Sequence, residues 1–251
     1  MKFFADSMIK PYIVSRGYRR LCEIGASLGE NTNKLLELDS VSVTIIDPGI
    51  DADLYERTNH NPRVNVKKGL SLDVLPKLKE EFDCILIDGD HNWYTVYNEL
   101  QLVDQLDLLK TGGTIFFHDV CFPYGRRDMY YQPSTIPPEF TQPYERKGII
   151  QGQSELSATS DLNAEHFNAA HEGGPRNGVL TAIEDFVKEH QGKYKFFYIQ
   201  QEHGLGVMLK SKGSLSGLKF YAWGANKKYP GLRGKLYLIK RLLQKALPAK
   251  H

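Results

Sequence analysis

Cysteine is scarce. Cys22, Cys84 and Cys121 are the only three in 251 residues, an odd number at wide spacing. That excludes a disulfide framework and a cysteine-built zinc cluster, and two of the three sit in apolar strand-like runs, so buried reduced thiols are expected. Long hydrophobic runs are missing too: no stretch approaches the roughly 18 residues of a membrane span. The start, Met1-Lys2-Phe3-Phe4-Ala5-Asp6, meets an acid before an apolar h-region can develop, which argues against a secretory signal. A cytoplasmic location is the expectation. Acidic residues are absent from 211–251, which carry ten Lys/Arg. The remainder holds 22 basic against 30 acidic residues, a net −8 within an overall +2. An acidic body thus carries a basic tail.

What is present is the composition of one globular core, 41% hydrophobic and 25% charged. From residue 19 to 120, short β-rich runs alternate with helical ones. The spacing predicts strands at Arg20–Ile24, Val41–Asp47, Val64–Lys67, Phe82–Asp88 and Thr114–His118. Helical runs at Asn31–Leu38, Ala52–Arg57, Leu72–Glu80 and Trp93–Leu109 fall between them, the last stopped by Thr111-Gly112-Gly113. Such βαβα units imply an α/β, Rossmann-like doubly wound sheet, mostly parallel. Helix Val179–His190 and strands Lys195–Gln200 and Leu205–Lys210 follow, and the four residues between the two strands demand an antiparallel hairpin. Residues 121–177 break the rhythm. Their Pro, Tyr, Gly and Arg content predicts an inserted lid or substrate segment in a domain spanning 1–210. The basic extension 211–251 holds an amphipathic helix at Lys235–Leu247.

The chemistry-bearing residues cluster at strand ends. Glu23-Ile24-Gly25-Ala26-Ser27-Leu28-Gly29 follows the first strand and opens a helix, a turn in which glycines allow close approach of a ligand. Its G-x-x-x-G spacing is not the dinucleotide fingerprint. Asp47 ends the second strand, where a carboxylate can accept the hydroxyls of a ribose. The fourth strand ends Ile87-Asp88-Gly89-Asp90-His91 and the fifth ends Phe117-His118-Asp119. Neighbouring strands would bring these acids and imidazoles together, an oxygen-rich set suited to Mg²⁺ or a similar hard ion, with histidine as a general base. The bland alternative is that Asp90 and Asp119 cap loops.

These motifs, with Gly69-Leu70-Ser71 and Gly112-Gly113-Thr114-Ile115-Phe116-Phe117-His118-Asp119, resemble class I S-adenosylmethionine-dependent methyltransferases. The likeness covers roughly residues 19–210 and is greatest to the branch of macrolide-sugar O-methyltransferases and cephalosporin-biosynthesis methyltransferases. It implies S-adenosylmethionine as cofactor, with Glu23, Gly25, Ala26 and Gly29 lining its methionine and ribose, Asp47 holding the ribose, and Leu70 and Ser71 near adenine. It further implies Asp88 and Asp119 as metal ligands, Asp88 bordering the cofactor as well, and His91 as the base that takes the acceptor's proton. His118 stands where the macrolide-sugar relatives have a carboxylate, which leaves the Mg²⁺ requirement open. In the insert, Tyr124, Arg126, Arg127, Tyr130, Tyr131, His171, Glu172, Arg176 and Asn177 are the expected substrate residues; the alternative is an ordered loop or a homo-oligomer contact.

The expected activity is methylation of a hydroxyl on a sugar or glycosylated small molecule. Rivals are an NAD(P)-dependent oxidoreductase, disfavoured by the glycine spacing and the lack of a Tyr-x-x-x-Lys pair, and a non-catalytic nucleoside-binding regulator. A nucleic-acid methyltransferase lacks an N/D-P-P-Y type motif and a basic body, so no nucleic-acid partner is expected. The 235–247 helix is expected to dock on the acidic body, with peripheral membrane contact as the alternative.

Overall fold

The computed structural model describes residues 1–213 and Trp223; the 235–247 helix expected from the sequence lies outside them. Five strands form the parallel part of a sheet: β1 (Arg20–Ile24), β2 (Ser42–Asp47), β3 (Val64–Lys68), β4 (Phe82–Ile87) and β5 (Leu109–Phe117). They stand in the order β3-β2-β1-β4-β5. β1 pairs in register with both β2 and β4, Ile24 lying between Ile46 and Ile87. This alignment brings the carboxyl ends of the three central strands to one edge, where ligands bind in open α/β sheets. Their residues are almost all buried, as expected for strands covered on both faces.

Helices supply the two covers. On one face pack α5 (Ser71–Val74), α6 (Trp93–Gln105) and α7 (Val179–Glu189), contributing Val74, Val96, Leu100, Ile183 and Phe186 to the core. On the other pack α3 (Glu30–Leu36) and α4 (Ala52–Asn59), through Leu35 and Leu54. Each such side chain removed from water stabilises the sheet by roughly 1.5–3 kcal/mol. That second face carries an element the sequence reading did not include. Residues 2–16 form a helical run, α1 (Lys2–Phe4), a π turn and α2 (Lys10–Arg16), closed by Gly17 in a left-handed cap at φ 65°. Phe4, Met8, Ile9, Tyr12 and Ile13 recur at helical spacing and are buried on the sheet.

The hairpin closes the sheet as expected. β9 (Tyr194–Ile199) and β10 (Leu205–Lys210) are antiparallel, and β10 inserts between β5 and β9. The largest departures from the expected boundaries lie around α5, α6 and β5. α6 stops at Gln105 rather than 109, and Leu109 already pairs with Phe82. Cys84 next pairs with Thr114, so the surplus residues of β5 bulge out. Gly112, at φ 83°, is therefore part of a β-bulge and not a helix stop. Its carbonyl accepts hydrogen bonds from Tyr18 Oη (2.6 Å) and an Arg16 guanidinium nitrogen (3.1 Å). The helix expected over 72–80 is cut to α5 and a 3₁₀ turn, Leu75–Lys77, because Pro76 cannot continue an α-helix.

The aperiodic insert is ordered. It contains β6 (Met129–Tyr130), β7 (Tyr144–Glu145) and β8 (Phe167–Ala169) in an antiparallel sheet, order β6-β8-β7. Asp128 ties it to the body. Its carboxylate accepts from the backbone N–H of Trp93 (2.7 Å) and Gly178 (2.6 Å), at the starts of α6 and α7, and from Tyr130 Oη (2.9 Å). Burial pushes this carboxyl up to about 6. We expect Asp128→Ala to orphan two buried N–H groups at about 1–3 kcal/mol each. The melting temperature should fall by roughly 10 °C, and protease cleavage within 121–177 should accelerate.

Candidate active site

A cavity of about 610 Å³ opens at the carboxyl ends of β1, β2 and β4. The turn after β1 shapes its floor. Gly25 adopts φ 83°, and a Cβ there would lie 2.3 Å from Gly89 Cα and 2.4 Å from the Asp88 carbonyl oxygen. The two strand-end loops thus touch backbone to backbone, which only glycine permits. Asp47 closes β2. Its carboxylate accepts from the N–H of Ser27 and of Gly49, each at 2.7 Å, so it fixes both loops and presents its remaining lone pairs to the cavity it lines. The rest of the wall comes from Leu70, Ser71 and Asp73 of the β3–α5 region, from Asp90, Tyr94, Thr95 and Glu99, and from Tyr131, Gln132, Thr135 and Ile136 of the insert.

Asp88, which also lines the cavity, meets a charged cluster. His91, His118 and Asp119 converge on it as neighbouring β4 and β5 bring their ends together. His91 Nε2 lies 2.8 Å from Asp119 Oδ2, an ion pair whose angle does not make a hydrogen bond. Its Nδ1 has no hydrogen-bond partner among the described residues, and its ring stacks on Tyr124 at 5.4 Å. His118 Nδ1 lies 3.2 Å from Asp88 Oδ1 and 3.0 Å from Asp119 Oδ2. The Met1 amine, delivered by the N-terminal helical run, lies 2.9 Å from Asp88 Oδ2. Asp119 holds a left-handed φ of 54°, a strained backbone of the kind found at functional sites.

Charge in the cluster is tightly coupled. Burial alone would raise the Asp88 carboxyl, but His118 and His91 hold it well below the usual carboxylate range. Asp119 is depressed likewise, burial being outweighed by the charge of His91. The imidazoles respond in the opposite sense. Burial opposes protonation, yet Asp119 and Asp88 push His118 up to about 9 and His91 well above its ordinary value. Asp88, His91 and Asp119 each offer one ligand atom, all within 4.8 Å of one another. Two carboxylates with imidazole nitrogens form a donor set that fits a divalent ion.

Several expected site residues lie elsewhere. Glu23, Ala26 and Gly29 are not among the residues lining the cavity. Glu23 turns into the protein, where it accepts from Asn31 Nδ2 (2.8 Å) and from the Thr32 hydroxyl and anchors α3; burial pushes it up to about 7. Gly29 caps α3 at φ 75°, tight against Leu54. In the insert only Tyr131 of the expected substrate residues lines the cavity, 6.0 Å from the His91 ring. Tyr124 is buried beneath His91, donating to Asn168 Oδ1. Arg126 pairs with Glu184 on α7. Arg127 is fully buried and donates to the carbonyls of Ala169 and Ser154. Tyr130 and Asn177 hold Asp128, whose backbone N–H donates to Asn177 Oδ1. His171 is exposed, its carbonyl accepting from Asn177, and the Glu172 N–H donates to the Ser154 carbonyl. The Arg176 guanidinium covers Trp93 and Phe140. These side chains build the insert; charge and aromaticity without periodicity do not reveal which way a side chain points. Glu99 was missed. The available signal was an acid embedded among Val96, Leu100 and Val103 of a core-facing helix.

Residues 22–120, from β1 to the end of the β5 loop, match the family model of a methyltransferase domain. Among solved structures, an O-methyltransferase from Bacillus cereus in complex with S-adenosylhomocysteine is similar at 18% identity and TM-score 0.50, over 84% of this chain and 80% of that one. A methyltransferase from Podospora anserina with bound S-adenosylhomocysteine is similar at 14% identity and TM-score 0.50, over 82% and 77%. At such identities the likeness is one of fold. No curated protein matches the chain by sequence. Over residues 22–120 the chain thus resembles a methyltransferase domain, and its fold is that of the S-adenosylhomocysteine-bound structures.

Proposed function

We propose that the protein transfers the methyl group of S-adenosylmethionine to a hydroxyl of a sugar or glycosylated small molecule. The observation that carries the reading is the Asp88–His91–Asp119 cluster at the mouth of the glycine-floored cavity. A sulfonium methyl is already electrophilic, so the protein's task is in-line alignment and exclusion of water. A sugar hydroxyl, in contrast, is a poor nucleophile near neutral pH and needs its proton removed. In the transfer the methyl–sulfur bond breaks, a carbon–oxygen bond forms, the hydroxyl proton passes to His91, and S-adenosylhomocysteine is left.

His91 takes a proton only when neutral, and Asp88 and Asp119 favour its protonated form while their charge faces it. Asp88, Asp119 and His118 are the residues that would hold a divalent cation, which supplies charge to acidify the acceptor hydroxyl. With Asp88 and Asp119 turned to such an ion, their hold on the His91 proton would weaken and His91 would serve as the base. Tyr131, 56% exposed above the cluster, offers a face on which a sugar ring can stack. Sugar acceptors are favoured over others by the sequence likeness to macrolide-sugar enzymes.

The reading is tested by incubating the full chain with methyl-labelled S-adenosylmethionine and panels of glycosides, catechols and amines, with Mg²⁺ or with EDTA. Label on a glycoside hydroxyl is expected. Label confined to amines or catechols contradicts the acceptor class. For the cofactor, Asp47→Ala should weaken S-adenosylhomocysteine binding at least tenfold in calorimetric titration, because it removes the ribose acceptor and frees the Ser27 and Gly49 loops.

A further inference from the structure

Glu99 lies mid-helix in α6, one turn beyond Thr95, and both line the cavity. Its side chain is 0% exposed, and neither carboxylate oxygen completes a hydrogen bond among the described residues, the Ser71 hydroxyl standing near but outside hydrogen-bond geometry. Buried carboxyls in native proteins are almost always bonded, so an orphaned pair at a cavity wall is a place for a ligand's polar atoms. Around it stand Ser71 of α5, Asp90 and His91 of the β4–α6 loop, and Cys22 of β1. No lysine or arginine is among the residues lining the cavity, so nothing there compensates a negative charge. Burial pushes Glu99 up to about 8, with the Ser71 hydroxyl opposing. The group is therefore a neutral carboxylic acid at pH 7, offering one O–H donor beside one carbonyl acceptor.

Gly25, Asp47, Asp88, Ser71 and Glu99 all line the one cavity, with Ser71 beside Glu99. On the methyltransferase reading, on which this inference rests, the sulfonium belongs at the Asp88 end and the ribose at Asp47, which leaves the base beside Glu99. Adenine's edge carries an amino donor next to a ring-nitrogen acceptor, the complement of a carboxylic acid. We propose that Glu99 reads the cofactor's base, its carboxyl accepting from the adenine amino group and donating to the adjacent ring nitrogen, N1.

The test is calorimetric titration of the full chain with S-adenosylhomocysteine and with its 1-deaza analogue, in which a C–H replaces N1. Wild type should bind the analogue about tenfold more weakly. Glu99→Gln, which keeps a donor beside an acceptor, should bind S-adenosylhomocysteine within threefold of wild type. Glu99→Leu, or Glu99→Met where the leucine variant does not fold, should lose about tenfold for S-adenosylhomocysteine and show no further penalty for the analogue. Equal analogue penalties in wild type and the apolar variant, or unchanged affinity in that variant, overturn the proposal. Wild type that binds neither ligand fails differently: it removes the methyltransferase reading and this inference with it.

Discussion

Replacing His91 with alanine should lower turnover by about 10²–10⁴-fold, the usual contribution of a positioned general base, while S-adenosylhomocysteine affinity stays within threefold. The split is expected because His91 sits in the charged cluster and is not among the residues lining the cavity. His91 reaches that cluster because β4 and β5 are adjacent and parallel, so the loop after one faces the loop after the other. Tyr124, stacked beneath the ring, fixes its plane. Steady-state kinetics on a methyl acceptor, paired with calorimetry of the same preparation, checks both halves. Turnover that survives the substitution removes His91 as base.

The second large effect is expected at Gly25. Gly25→Ala adds a Cβ 2.3 Å from Gly89 Cα, a position no real Cβ occupies, at a backbone φ of 83° that alanine avoids. Backbone cannot rotate away as a side chain can, so the β1 and β4 loops must separate. Since those loops form the floor of the cavity, S-adenosylhomocysteine affinity should fall by 100-fold or more, and the melting temperature by roughly 10 °C. Gly49→Ala is the control. The nearest atom its Cβ would meet is Asp47 Oδ1 at 3.8 Å, an ordinary contact, and its binding should stay within a few-fold of wild type.

How much of this was legible without coordinates follows from what periodicity can carry. β1 and β10 fall where their largely apolar runs place them, because a strand covered on both faces reads as a near-continuous apolar run, buried Glu23 being the exception in β1. Asp47, Asp88 and Asp119 were legible for a related reason: a polar residue that ends an apolar strand has only the sheet edge to occupy. Helix stops were less legible. Gly112-Gly113 serves a bulge as readily as a C-cap, and only the pairing of Phe82 with Leu109 and Cys84 with Thr114 distinguishes the two. The insert was least legible. Arg127 has the composition of a surface ligand-binding residue, yet it is fully buried, donating to carbonyls of β8 and the neighbouring loop. The N-terminal helix shows the opposite failure, since Phe4, Met8, Ile9, Tyr12 and Ile13 carry a readable helical spacing around the polar Asp6 and Ser7.

The central claim is that the cavity over Gly25 and Asp47 takes the nucleoside cofactor. Calorimetric titration of the purified full chain with S-adenosylhomocysteine, with NADH as control, addresses it most directly. The account predicts micromolar binding of S-adenosylhomocysteine at one site per chain and none of NADH. Binding of NADH without S-adenosylhomocysteine would contradict it.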